Sequence, residues 1–297
     1  MLKPVTFLTL SILFYGVVFA YDNQSLATTN STYVPPNVEI KSTKTEKMLE
    51  FSLFIENKVN KISIPFTKLL FNVTVIKKFD GKGDSYRFNL NPKFAKLYEE
   101  IGNFDHKKNA VVIYPIFTQA AYEKNGFYYY YNKKCDSRCL TIPFATGPNP
   151  TYPTSITGGL VMSLLNYPFI TDIDVDKDPT ILKKFAKIFV LHNEYVTKKE
   201  FDAITNHPNV VYLYPNALYA EVKVDYKKST ITLVKGHGYP SSNILNGFNW
   251  KFDNSKYEYD FECKNWKFDK IKNGKMLNCY PYLRFLYDEN LLREIIK

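Results

Sequence analysis

From residue 187 to residue 216 the chain sets two continuous apolar runs on either side of an amphipathic segment, and this pattern restricts its fold more than any other feature. In Lys187-Ile188-Phe189-Val190-Leu191 the apolar residues are consecutive. Successive side chains of a strand point to opposite faces, so a strand here is apolar on both and must be covered on both. Residues 196–207 follow as a Thr-capped amphipathic helix, and 209–216 (NVVYLYPN) as a second buried strand. The same grammar extends upstream. Residues 109–117 (NAVVIYPIF) read as a buried strand, 139–144 as a short strand, 153–168 as a helix, 169–175 (FITDIDV) as a strand and 178–185 as a short helix with proline in its first turn. Alternation at this spacing predicts an α/β domain over 105–297, built on a parallel sheet with helices on both faces.

The flanking regions read differently. Residues 48–104 carry short strand-like runs, a DGKGD turn at 80–84 and one helix from 93 to 102, predicting a small β-rich N-terminal region. After residue 218 the pattern returns to strands (218–226 and 229–236), giving a β-containing C-terminal tail. Residues 257–268 (YEYDFECKNWKF) alternate as a strand does.

Met1 to Ala20 has one charge, Lys3, ahead of an apolar stretch, with small or permissive residues at 18–20, followed by the polar run YDNQS. It reads as a secretory signal peptide, with a retained membrane anchor as the alternative. Residues 21–47 read as a flexible linker. Asn23, Asn30 and Asn72 open glycosylation sequons. The four cysteines fall into two local pairs, Cys135 with Cys139 and Cys263 with Cys279, and neither has further Cys or His ligands nearby. In an exported chain they read as two disulfides. A secreted or cell-surface protein is expected. The 39 Lys and Arg against 29 Asp and Glu give a net charge of +10. Because the lysines are scattered, the balance fits a solvated surface or an acidic glycan rather than nucleic acid.

In parallel sheets ligands collect beyond the carboxyl ends of the strands. That rule brings His192, Glu194 and Asn216 to one edge, with His192 and Glu194 on the same side of the extended chain. A histidine and a carboxylate so placed form either a base with its partner or two arms of a metal site; the plainer alternative is a turn hydrogen-bonding its own loop. The tyrosine run 128–131 reads as packing, glycan-stacking surface or interface. Residues 172–178 (DIDVDKD) lack the glycine and the final glutamate of a calcium loop, which excludes an EF-hand, and read as a strand end with a solvated carboxylate row. Neither cysteine pair sits on a Gly-x-Cys-x-Gly elbow, so a cysteine nucleophile is not expected.

Residues 167–174 (YPFITDID), 178–204 (containing LHNEY) and 214–224 (YPNALYAEVKV) resemble the N,N-dimethylformamidase family, in the C-terminal domain of its larger polypeptide, over roughly residues 110–225. The resemblance implies a flavodoxin-like fold similar to class I glutamine amidotransferases and an iron held by two tyrosines and a glutamate, beside a histidine and an asparagine. Carried over, Glu194 and Tyr122 (in TQAAY) become metal ligands, and His192 and Asn216 flank them. Where the family has its second tyrosine this chain has TIPF at 141–144, which leaves Tyr152 as the substitute. A further family acid has no counterpart in this chain's alignment. The implied function is metal-dependent hydrolysis of an amide or related C–N bond in a small amide-like substrate. A non-catalytic surface or glycan-binding protein that retains the fold is the alternative.

Overall fold

The computed structural model describes residues 47–55, 58–77, 84–145, 147 and 155–297, together with four short strands nearer the N-terminus. Two compact units divide the chain, Met1–Ala95 and Lys96–Lys297. The first contains strands β1 (Ile12–Leu13), β2 (Val18–Phe19), β3 (Ser31–Tyr33), β4 (Val38–Ser42), β5 (Lys47–Ile55), β6 (Lys58–Pro65), β7 (Phe71–Lys77) and β8 (Asp84–Leu90). They pair as β1-β2, β3-β8-β7 and β4-β5-β6. Two of them, β3 and β4, lie within the stretch expected to be irregular linker. Asn72 is exposed on β7. Asn23, Asn30 and, apart from β1 and β2, the leader at 1–20 lie outside the described residues.

The boundary falls after the first residue of α1 (Ala95–Ile101), and the second unit runs through β9 (Ala110–Tyr114), α2 (Ile116–Tyr122), α3 (Phe127–Tyr131), β10 (Thr141–Pro143), α4 (Ile156–Leu164), β11 (Phe169–Thr171), α5 (Asp172–Lys177), β12 (Lys187–Val190), β13 (Tyr195–Val196) and α6 (Lys198–Asn206). It continues with β14 (Val210–Tyr212), β15 (Ala220–Asp225), β16 (Thr230–Lys235), β17 (Phe268–Ile271), β18 (Gly274–Leu277) and α7 (Glu289–Ile296). Six strands form a mostly parallel sheet in the order β11-β9-β12-β14-β18-β17, with only the β17 edge antiparallel. A second sheet of four strands, in the order β10-β16-β15-β13, is reached through the turn between β12 and β13.

Alternation along β12 explains its layering. Ile188 and Val190 join Val111, Ile113, Val210 and Tyr212 in a buried cluster with Val175 of α5, Leu182 and Ile204 of α6. Phe189 turns to the other face, its ring 5.2 Å from that of Tyr167. Each such side chain contributes about 1.5–3 kcal/mol by burial.

Three expectations need correction. The strand expected over 109–117 ends at Tyr114, because Pro115 has no N–H to continue the ladder, and Ile116 opens α2 instead. Residues 172–178 are no strand end: Thr171 and Asp174 form a reciprocal capping box that starts α5, and Asp172 and Asp176 are buried rather than solvated. Residues 257–268 alternate in sequence, but only Phe268 enters a strand. A positive φ at Cys263 (48°) and the tie to Cys279 interrupt the extended path.

Both cysteine pairs are joined, with Cα atoms 6.0 Å apart for Cys135–Cys139 and 5.2 Å for Cys263–Cys279. Among the described residues no helix is long and apolar enough to cross a membrane.

Candidate active site

The turn that carries the chain from β12 to β13 is pinned at each step. The His192 N–H donates to Ser155 Oγ at 3.0 Å, the Tyr195 N–H donates to Thr118 Oγ1 at 3.0 Å, and the Glu194 carbonyl accepts from the N–H groups of Tyr219 and Ala220, each at 2.9 Å. This pinning holds His192 and Glu194 wholly buried beyond the carboxyl end of β12. Their side chains face each other as the alternation requires, with Nε2 and Oε2 3.4 Å apart.

Three further side chains converge on the same carboxylate. Tyr122, at the end of α2, donates to Glu194 Oε2 at 2.7 Å. Tyr128, on α3, donates to Oε1 at 3.2 Å, and its oxygen is 2.6 Å from that of Tyr122. His237 lies beyond β16, and its Nε2 is 2.5 Å from Oε1. The two tyrosines approach each other because Gly126 lets the chain reverse between the two helices. A Cβ at Gly126 would sit 2.3 Å from the Ala121 carbonyl oxygen. His237 is presented by a tight turn, with φ of 121°, 52° and 74° at Gly236, His237 and Gly238. Glycine supplies the first and third of these at little cost.

Asn216 is buried in the turn after β14, between His192 and Glu258. It lies beside the His192 side chain, and its Nδ2 donates to Glu258 Oε2 at 3.3 Å. The electrostatics follow. Burial lowers the His192 pKa to about 4 against the opposing pull of Glu194, so its imidazole is neutral near pH 7. Burial raises the Glu194 pKa, but His237, His192 and the Tyr122 hydroxyl more than offset this and hold it below the usual carboxylate range. Burial, and then the Glu194 charge, keep the Tyr128 phenol well above its ordinary value. The Glu258 carboxyl is pushed up to about 7, first by burial and then by Glu194.

Four of the residues singled out from the sequence, Tyr122, His192, Glu194 and Asn216, therefore meet in one cluster. Tyr152 lies outside the described residues, and the second phenol on Glu194 is Tyr128. Sequence reading missed Tyr128, His237 and Glu258. The signal for His237 was a histidine between two glycines at the end of a strand; Glu258 and Tyr128 carried none. Among the described residues no group of three His, Cys, Asp or Glu side chains has the geometry to hold a metal ion. A cation at this cluster would need the phenols. Both phenols donate to the ionised carboxylate, so the cluster's negative charge is that of Glu194; the phenols would have to lose their protons to complete a hard-oxygen set of the kind that suits ferric iron. Among the described residues no lysine or arginine pairs with Glu194 to compete for its charge.

No protein-family model matches the chain. No curated protein matches it.

Proposed function

We propose that the second unit is a metal-dependent hydrolase of an amide or related C–N bond, on an amidotransferase-like, flavodoxin-type sheet, in a protein exported from the cell. The observation that carries this reading is the convergence of Tyr122, Tyr128, His192 and His237 on the buried Glu194 carboxylate. Tyr122, Tyr128 and Glu194 would hold iron. Iron so held supplies Lewis acidity toward a carbonyl and lowers the pKa of a bound water. Neutral His192 accepts a proton from the attacking water. Glu258, with a pKa of about 7, is protonated in a large fraction of molecules near neutrality and gives its proton to the departing nitrogen. Asn216 orients both groups through its two contacts. Water oxygen bonds to the carbonyl carbon, the C–N bond breaks, and the products are a carboxylic acid and an amine.

The test is metal content of the purified exported form. Wild type is expected to hold close to one iron per chain and Glu194→Ala almost none. Equal content in the two removes the site.

A second reading, a non-catalytic surface protein that binds glycan, is favoured by the exposed rings of Tyr131 (50%) and Tyr259 (56%), since such rings stack on sugars. It predicts no iron in either protein and glycan retention that depends on those two residues.

A further inference from the structure

Next to the carboxylate cluster lies a cleft with a charge of its own. About 620 Å³ in volume, it is bounded by Tyr130 and Tyr131, by the loop from Lys133 to Arg138, and by the His237-Gly238 turn. His237 is the shared wall. Its Nε2 faces Glu194, while its ring meets Tyr131 edge-on with centroids 5.3 Å apart. The loop has a set shape: the N–H groups of Lys133 and Lys134 donate to the carbonyls of Tyr130 and Tyr129, and Cys135 is bonded to Cys139. The carboxylate lining the cleft, Asp136, is already occupied, since Arg138 donates both its backbone N–H and its Nε to Asp136 Oδ1 at 2.9 Å. Among the described residues neither Lys133 nor Lys134 has a carboxylate within ion-pair distance; the ion pair in this loop is Arg138 with Asp136. Two cations are thus left over at the rim of a concavity of the size that takes small ligands, where their field draws in anions.

Resting on the amide-hydrolase reading above, we infer that the substrate is a small amide bearing a carboxylate, its anionic end held at Lys133 and Lys134 and its amide set against His237, the residue that joins the cleft to Glu194. A neutral amide would reach the same cluster without this anchor.

N-formylglycine and the near-isosteric neutral N-formylglycinamide separate the cases. Each is assayed for hydrolysis and, by calorimetry, for binding to the full chain. The proteins are wild type, the double variant Lys133→Ala/Lys134→Ala and the double variant Lys133→Arg/Lys134→Arg. Both lysines are exposed, so folding of the variants is not in question. Wild type is expected to favour the anionic amide about tenfold in kcat/KM. That preference should fall towards unity in the alanine variant and persist in the arginine variant. No preference in wild type, or one that survives in the alanine variant, overturns the inference while leaving the hydrolase reading intact. If neither amide is hydrolysed but calorimetry still gives lysine-dependent binding of N-formylglycine, anion recognition stands and the hydrolase reading falls. Absence of binding and of hydrolysis removes both.

Discussion

His237 and Glu194, 43 residues apart in the chain, meet with Nε2 2.5 Å from Oε1. One arrives on the turn after an antiparallel strand of the four-stranded sheet, the other on the turn after a parallel strand of the six-stranded sheet. A wholly buried carboxylate stays ionised only where such partners offset its loss of water, and His237 is the strongest of the offsetting partners at Glu194.

Replacing His237 with alanine should therefore raise the Glu194 pKa; if Glu194 holds iron as proposed, it should also weaken that binding by roughly 10–100-fold, the usual cost of removing a partner that orients a metal-ligating group. Metal titration followed by tyrosinate-to-iron absorbance checks this. Unchanged affinity would mean that the imidazole is only packing.

Glu258 sets a pH limb. If it delivers the proton to the leaving nitrogen, it must be protonated, so turnover of an amide should decline as pH rises through about 7. In Glu258→Gln the maximal rate should fall about 10²-fold or more and the alkaline limb should disappear. A variant that keeps the limb assigns it to another group.

Glu200 and Asp172 are buried, and their carboxyls lie well above the ordinary range, Glu200 through burial and then through Asp172 and Asp176. The folded chain thus retains protons that the unfolded chain releases above its ordinary value of 4.5. The stability these two groups contribute is greatest below that value and declines as pH climbs above it. In Glu200→Gln one of these groups no longer titrates. Relative to wild type, its melting temperature should stand higher at about pH 8 than at about pH 5. Parallel curves for the two proteins would contradict the assignment.

Gly126→Ala tests the close passage between α2 and α3. Its methyl group would press on the Ala121 carbonyl. Because backbone cannot give way as a side chain can, a loss of about 1–3 kcal/mol in denaturant unfolding is expected, along with displacement of Tyr128 from Glu194 and, on the proposed iron reading, weaker metal binding.

What could be read in the amino-acid order was whatever depends on local pattern. Doubly apolar runs gave the parallel strands, and the rule on their carboxyl ends gave His192, Glu194 and Asn216. Tyr122 was placed nearby by the strand that precedes it, and a family resemblance gave it the role of ligand. Local cysteine spacing gave both bridges. What escaped depends on how distant segments are brought together. Tyr128 is one of four consecutive tyrosines, and only the reversal at Gly126 selects which of them faces inward. His237 belongs to the other sheet, whose placement no periodicity encodes. Glu258 lies in a segment whose alternation imitates a strand but whose path is broken at Cys263. Asp172 and Asp176 looked solvated because runs of aspartate usually are; in this chain a cap begins a helix and turns two of them inward.

The chain passes between the two sheets by way of Asn193 and Glu194, where the Glu194 carbonyl receives the N–H groups that begin β15. A molecule that has assembled only one sheet therefore has no site at all, rather than a weak one. Capacity to bind and resistance to unfolding should be acquired in the same cooperative event during maturation, and lost together when either half is opened by heat or protease.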